Sequence, residues 1–235
     1  MRIALFGLKN QHLFYHDAVW FGQAQFYLHK EHQNKKHQKA DKKFIQSQAV
    51  RELLTKLLAY YHIHTQLNDS KHPYRLDDGK WVSFSHSKAY VAVVVSNEPV
   101  GIDIEKNPVS IKVAERFFCQ DECDYLTTLP KHQSDACCKL LWQIKECLIK
   151  IEQISLIDGL KINVLDAILS ANSQSDGLNH LVCKQPIKLE IKGYGNYHLY
   201  CHQLNDLQFS DLPFSDLPFN DLPFNDLVIL LKPAS

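Results

Sequence analysis

Val100-Gly101-Ile102-Asp103-Ile104-Glu105 is the stretch on which the reading of the fold turns. Apolar and acidic residues alternate along it with the period of an extended strand. Ile102 and Ile104 therefore point one way, to the core, and Asp103 and Glu105 the other. Upstream, across the turn signal Asn97-Glu98-Pro99, lies a second short β-branched run, Tyr90-Val91-Ala92-Val93-Val94-Val95. After Pro108 the period becomes helical, through Ile111 to Phe118 and again from Leu140 to Ile151, where Leu141, Ile144, Leu148 and Ile151 line one stripe.

Working further outward, Phe44, Ile45, Ala49, Val50, Leu53, Leu54, Leu57, Leu58 and Tyr61 recur at helical steps. They predict an amphipathic helix entered through a polar, basic segment at 30–43, with Asp41 as its N-cap. Residues 68–80, with Pro73 and Asp78-Gly79, predict a loop. From Leu160 on, strand-like runs dominate, at 161–164, 187–191, 197–201 and 227–231. Helix and strand mix in both halves without a βαβαβ rhythm, so the expected class is α+β. The expected division is into residues 1–105 and 106–235.

Composition narrows the function. With 45% apolar and 11% aromatic residues in 235, the chain can bury a substantial core. The run Met1–Phe6 ends at Gly7, too short for a secretory signal core, and no stretch has the length and apolarity of a membrane span. Seven cysteines, odd in number and without a C-x-x-C pair, then predict reduced thiols in a cytoplasm. A zinc site on Cys119 and Cys123 lacks a partner pair at metal spacing. The formal net charge is zero but unevenly spread: residues 1–100 hold 14 Lys/Arg against 8 Asp/Glu, and the remainder 12 against 18. A basic front and an acidic back suit a protein that takes an anion with one part and a cation with the other; clustering on solvated faces is the plain alternative. Residues 205–227 repeat a five-residue unit, NDLQF-SDLPF-SDLPF-NDLPF-NDL, whose prolines at 213, 218 and 223 break any ladder. They predict a loop between two strands, where a tolerated duplication is favoured over a docking surface.

Three clusters carry chemistry. Asp103 and Glu105, on one side of a strand, repel unless a cation lies between them, and hard oxygen ligands suit Mg²⁺; a half-exposed edge strand is the bland alternative. In Trp142-Gln143-Ile144-Lys145-Glu146-Cys147-Leu148-Ile149-Lys150, Glu146 and Lys150 are four apart and share a helical face. They form either a surface pair or a metal-and-phosphate pair. Ser83-Phe84-Ser85-His86-Ser87 lacks the G-x-S-x-G elbow of a hydrolase, so His86 is read as a phosphate contact or a structural histidine.

In this order and spacing, FSHS, GIDIE and WQIKECLIK resemble the motifs of the Sfp-type 4′-phosphopantetheinyl transferases. Arg116-Phe117-Phe118-Cys119-Gln120-Asp121-Glu122 resembles that family's RFF-x-x-x-E segment, and Arg51-Glu52-Leu53-Leu54 its first-half helix. The resemblance runs from about residue 40 to 150. It implies two similar α+β halves in pseudo-twofold arrangement, with coenzyme A in the cleft between them. Asp103, Glu105 and Glu146 would hold Mg²⁺, Lys150 would contact the diphosphate and His86 the coenzyme A phosphates. Lys43, Arg51 and Lys71 are the best matches for further phosphate contacts. The chain departs from the family where Lys71-His72-Pro73 replaces Gly-Lys-Pro and where Lys43 replaces arginine, a point charge for a bidentate fork.

The implied reaction moves the phosphopantetheine arm of coenzyme A to a serine of an apo acyl or peptidyl carrier protein and releases 3′,5′-ADP. A carboxylate would take the serine proton, directly or through metal-bound water, with Glu146 the first candidate and Glu122 a weaker one. No nucleic acid or membrane partner is expected, and a monomer suffices. The rival readings are a Mg²⁺-dependent phosphodiesterase and a non-catalytic module binding polyanion or metal through residues 29–43.

Overall fold

A computed structural model describes residues 6–16, 19–28, 38–68, 73–174, 186–202 and 226–234. The chain is α+β throughout and separates into two compact units, Met1–Asn97 and Glu98–Ser235.

In the first unit a six-stranded antiparallel sheet has the order β1-β2-β6-β5-β4-β3. Its strands are β1 (Phe6–His16), β2 (Val19–Leu28), β3 (Leu67–Asn68), β4 (Arg75–Leu76), β5 (Trp81–Ser87) and β6 (Tyr90–Ser96). Helix α1 (Gln38–Tyr60) packs on β6, β2 and β5. The periodic residues supply this core: Ala49, Leu53 and Leu57 are fully buried against Val91, Val93 and Val95. Each large aliphatic side chain so placed contributes roughly 1.5–3 kcal/mol. The helix begins at Gln38, so Asp41 lies inside its first turns and is not the N-cap. Gln38-Lys39-Ala40 are adequate helix formers, and nothing in them stops the helix starting early. Ser83–Ser87 form most of β5 itself. The Asp78-Gly79 turn signal holds: Gly79 adopts a left-handed φ of 88° and donates to the Leu76 carbonyl.

The second unit carries a four-stranded antiparallel sheet, order β7-β10-β9-β8, from β7 (Val100–Ile104), β8 (Ile187–Ile191), β9 (Gly195–His202) and β10 (Leu227–Leu231). The two strand runs on either side of Asn97-Glu98-Pro99 thus belong to different sheets. The division falls ahead of β7 rather than at residue 105, because β7 is hydrogen-bonded to β10, with Ile102 opposite Ile229. Helices α2 (Ile111–Phe117), α3 (Gln120–Thr128) and α4 (Lys131–Glu152) follow, then α5 (Leu156–Leu160) and α6 (Leu165–Gln174). The long helix α4 packs on β7 and β10. Its buried face, Leu141, Ile144, Cys147 and Leu148, meets Val228, Leu230, Leu199 and Tyr197 in one core.

The strand expected at 161–164 is a turn between α5 and α6 instead. Its carbonyls and amides serve a buried ion pair described below rather than a ladder. Apart from Asp226 and Leu227, the pentapeptide repeat lies outside the described residues; the strands β9 and β10 are register partners, with Leu227 opposite His202. The six described cysteines are free thiols, and burial pushes Cys137 and Cys138 up to about 12. No described helix is long and apolar enough to cross a membrane.

Candidate active site

The site is built where β7 meets α4. Gly101 makes the approach possible: a Cβ at this position would stand 2.4 Å from the Cys147 carbonyl oxygen. Gly101 therefore faces α4, and by the two-residue period of a strand so do Asp103 and Glu105, while Ile102 and Ile104 are buried on the other face. β7 is an edge strand of its sheet, but its residues are all buried, so the half-exposed strand is set aside. Gly101→Ala should cost about 1–3 kcal/mol, because the atoms it meets are backbone and cannot rotate away. It should also lower activity by displacing α4. Thermal denaturation checks this, and an unchanged midpoint would contradict the close approach.

Glu146 and Lys150, one turn apart on α4, share the space beside these carboxylates. The Lys150 ammonium donates to the Ile102 carbonyl at 2.6 Å and stands 3.3 Å from Asp103 Oδ1. Burial alone would push Lys150 down, but Asp103 and Glu146 outweigh it and hold the ammonium above its ordinary range. The Glu146 carboxyl is raised, first by burial and then by the charges of Asp103 and Glu105, with Lys150 opposing. Glu105, just past the end of β7, accepts from the Asn107 amide at 2.7 Å and from its side chain at 3.0 Å. Three carboxylates thus act in one field that holds too much negative charge for Lys150 to balance. Hard oxygen donors crowded in this way fit a small divalent cation. Among the described residues no three such side chains are gathered into a ready-made cage, so a cation would have to draw Glu105 from Asn107 and Asp103 from Lys150. The same observation leaves Cys119 and Cys123 without further ligands for zinc.

Glu122 is not with them. It is completely buried, its Oε2 lies 2.7 Å from the Lys145 ammonium, and its Oε1 accepts from the Val164 amide at 2.9 Å. Lys145, also completely buried, donates to the carbonyls of Leu160 (3.0 Å) and Ile162. Glu122 therefore pins α3 and the α5–α6 turn to α4. A carboxylate so enclosed has no path to an incoming hydroxyl, which removes it as a base. Lys145 sits between Leu141 and Leu148, on the buried side of the helix, and that placement is the one signal in the sequence for its role. A second polar cluster has no such signal: Asp226 is paired with Lys106 and, at 2.8 Å, with Lys139.

The remaining candidates belong to the first unit. Lys43 is exposed near the start of α1. Arg51 donates to the Ser47 carbonyl at 3.0 Å and lies 6.0 Å from the centre of the Phe84 ring. Phe84 and the exposed His86 are two apart on β5 and point to the same side of the sheet. Lys71 and His72 lie outside the described residues, as does the histidine-rich segment at 29–37.

Residues 99–199 match the family model of the 4′-phosphopantetheinyl transferase superfamily. The chain is 39% identical over 79 residues to "4′-phosphopantetheinyl transferase psf-1" of Bacillus pumilus, covering 33% of this chain and 34% of that protein. It is 41% identical over 69 residues to "4′-phosphopantetheinyl transferase gsp" of Aneurinibacillus migulanus, 29% of each. Against "4′-phosphopantetheinyl transferase Sfp" of Bacillus subtilis (strain 168) the identity is 38% over 71 residues, 30% of this chain and 32% of that protein. The chain thus spans about a third of the length of the curated relatives it matches. The matched segment contains both β7 and α4, with all four charged residues of the site, and over that segment the chain is similar to the 4′-phosphopantetheinyl transferase superfamily.

Proposed function

We propose that this protein transfers the 4′-phosphopantetheine arm of coenzyme A to a serine hydroxyl of an apo acyl or peptidyl carrier protein, in the cytoplasm and with Mg²⁺. The observation that carries the reading is the meeting of Asp103, Glu105, Glu146 and Lys150 in one field, inside the segment that matches the superfamily.

Asp103, Glu105 and Glu146 would hold the ion, which when bound supplies Lewis-acid polarisation of phosphoryl oxygens. The serine oxygen bonds to the β-phosphorus of coenzyme A as the bond from that phosphorus to the oxygen of 3′,5′-ADP breaks. The hydroxyl proton passes to Glu146, the carboxylate that α4 presents beside Lys150. Lys150, kept cationic by its neighbours, steadies charge on the diphosphate. Arg51 and His86, on one side of the first sheet, with Lys43 and Lys71, are the proposed contacts for the remaining phosphates of coenzyme A.

The test incubates the protein with coenzyme A, Mg²⁺ and a panel of apo carrier proteins, read by intact mass. A carrier should gain the arm, and chelation of the metal should stop the gain. Release of free phosphopantetheine with no carrier modified would move the reading to phosphodiesterase chemistry.

A further inference from the structure

Asp226 stands at the junction of three segments of the second unit. It is buried at 8% exposure and immediately precedes β10. Its carboxylate pairs with Lys106 through one oxygen and with Lys139 of α4, at 2.8 Å, through the other. Its carbonyl accepts from the Glu105 amide at 2.8 Å and from the Gln143 side chain of α4 at 3.1 Å. The register of β10 on β7 ends at Leu227 opposite Ile104, so this last bond holds Glu105 beyond the regular ladder. Lys139 and Gln143 are one turn apart on α4, and Glu146 begins the next turn.

From this geometry we infer that Asp226 is a positioning residue: it fixes the end of β7 that bears Glu105 against the helix that bears Glu146, and so sets how tightly the carboxylates take a divalent cation. The inference rests on the metal reading given above. The mechanism is geometric: charge-assisted bonds on both oxygens lock the three segments together.

The sequence supplies an internal control. Asp226 is the last of five aspartates at the same place in the pentapeptide unit, after Asp206, Asp211, Asp216 and Asp221. Deleting residues 222–226 puts Asn220-Asp221 directly ahead of Leu227, recreating the Asn-Asp-Leu junction from a different aspartate.

The experiment titrates Mn²⁺ into the full-length protein and follows the paramagnetic resonance signal of the free ion, with no substrate present. Asp226→Asn should weaken Mn²⁺ binding roughly tenfold, as loss of partners behind metal ligands typically does. Asp226→Glu and the deletion of 222–226 should recover most of the affinity. If Asp226→Asn does not give a folded protein by circular dichroism, Gln143→Leu, which removes the uncharged bond from α4 to the Asp226 carbonyl, should weaken binding in the same direction. Parental affinity in a folded Asp226→Asn or Gln143→Leu protein overturns the inference, and so does a deletion variant as weak as Asp226→Asn. A parent protein that binds no Mn²⁺ overturns the metal reading itself, which separates the two failures.

Discussion

Asp103→Ala is expected to lower transfer of the phosphopantetheine arm by at least about a hundredfold, the equivalent of several kcal/mol of transition-state stabilisation. The fold should survive. Asp103 is joined to β10 by backbone pairing opposite Val228, which alanine keeps. Its carboxylate stands 3.3 Å from Lys150, whose stronger bond, 2.6 Å to the Ile102 carbonyl, remains. What alanine removes is one of the three negative charges available to a divalent ion, together with part of the field that keeps Lys150 cationic. Asp103→Asn separates charge from shape: it fills the same volume, so comparable loss in both variants points to charge. The measurement is the initial rate of carrier modification at saturating Mg²⁺, with the melting temperature alongside. A folded Asp103→Ala protein working at the parental rate would remove this residue from the site.

Much of this site was legible in the sequence because two independent periods meet there. The alternation in Gly101–Glu105 put both acids on one side of a strand, and the stripe Leu141, Ile144, Leu148 put Glu146 and Lys150 together on a helix that must pack. Their mutual approach was an expectation only of the family resemblance, not of either period. It depends on Gly101 lacking a side chain, a fact about a neighbouring helix that no local pattern states. The hairpin of β1 and β2 went unread for another reason. Its buried positions include Gln23, and Gln25 reaches Tyr90, so polar residues occupy places that a strand pattern expects to be apolar. A register shift between Lys9 and His12 further breaks the alternation. Residues 161–164 have strand composition, yet the buried Lys145 and Glu122 recruit the surrounding carbonyls and amide, and tertiary chemistry overrides local preference. Asp226 was hidden among four equivalents, and only contact with Lys106 and Lys139 distinguishes it.

The Lys145–Glu122 pair carries the largest stability effect. Both side chains are completely buried, so removing one charge strands the other in a poorly solvating interior, a cost of about 3–5 kcal/mol. Burial already pushes Lys145 below its ordinary range, and Glu122 is what opposes the fall. In Glu122→Gln that opposition goes, and the lysine must lose its proton or remain charged without a partner. The Val164 amide and the carbonyls of Leu160 and Ile162 would also lose the arrangement that holds the α5–α6 turn. The melting temperature should drop by on the order of 10 °C in Glu122→Gln and in Lys145→Met alike. The double variant Glu122→Gln/Lys145→Met should cost clearly less than the sum of the two, because no unpaired charge is left in it. Additive losses would mean that the pair is not coupled as the geometry requires. Well below its melting temperature, Glu122→Gln should still modify a carrier at near the parental rate. That outcome separates a carboxylate holding the scaffold from one accepting the proton of the reaction.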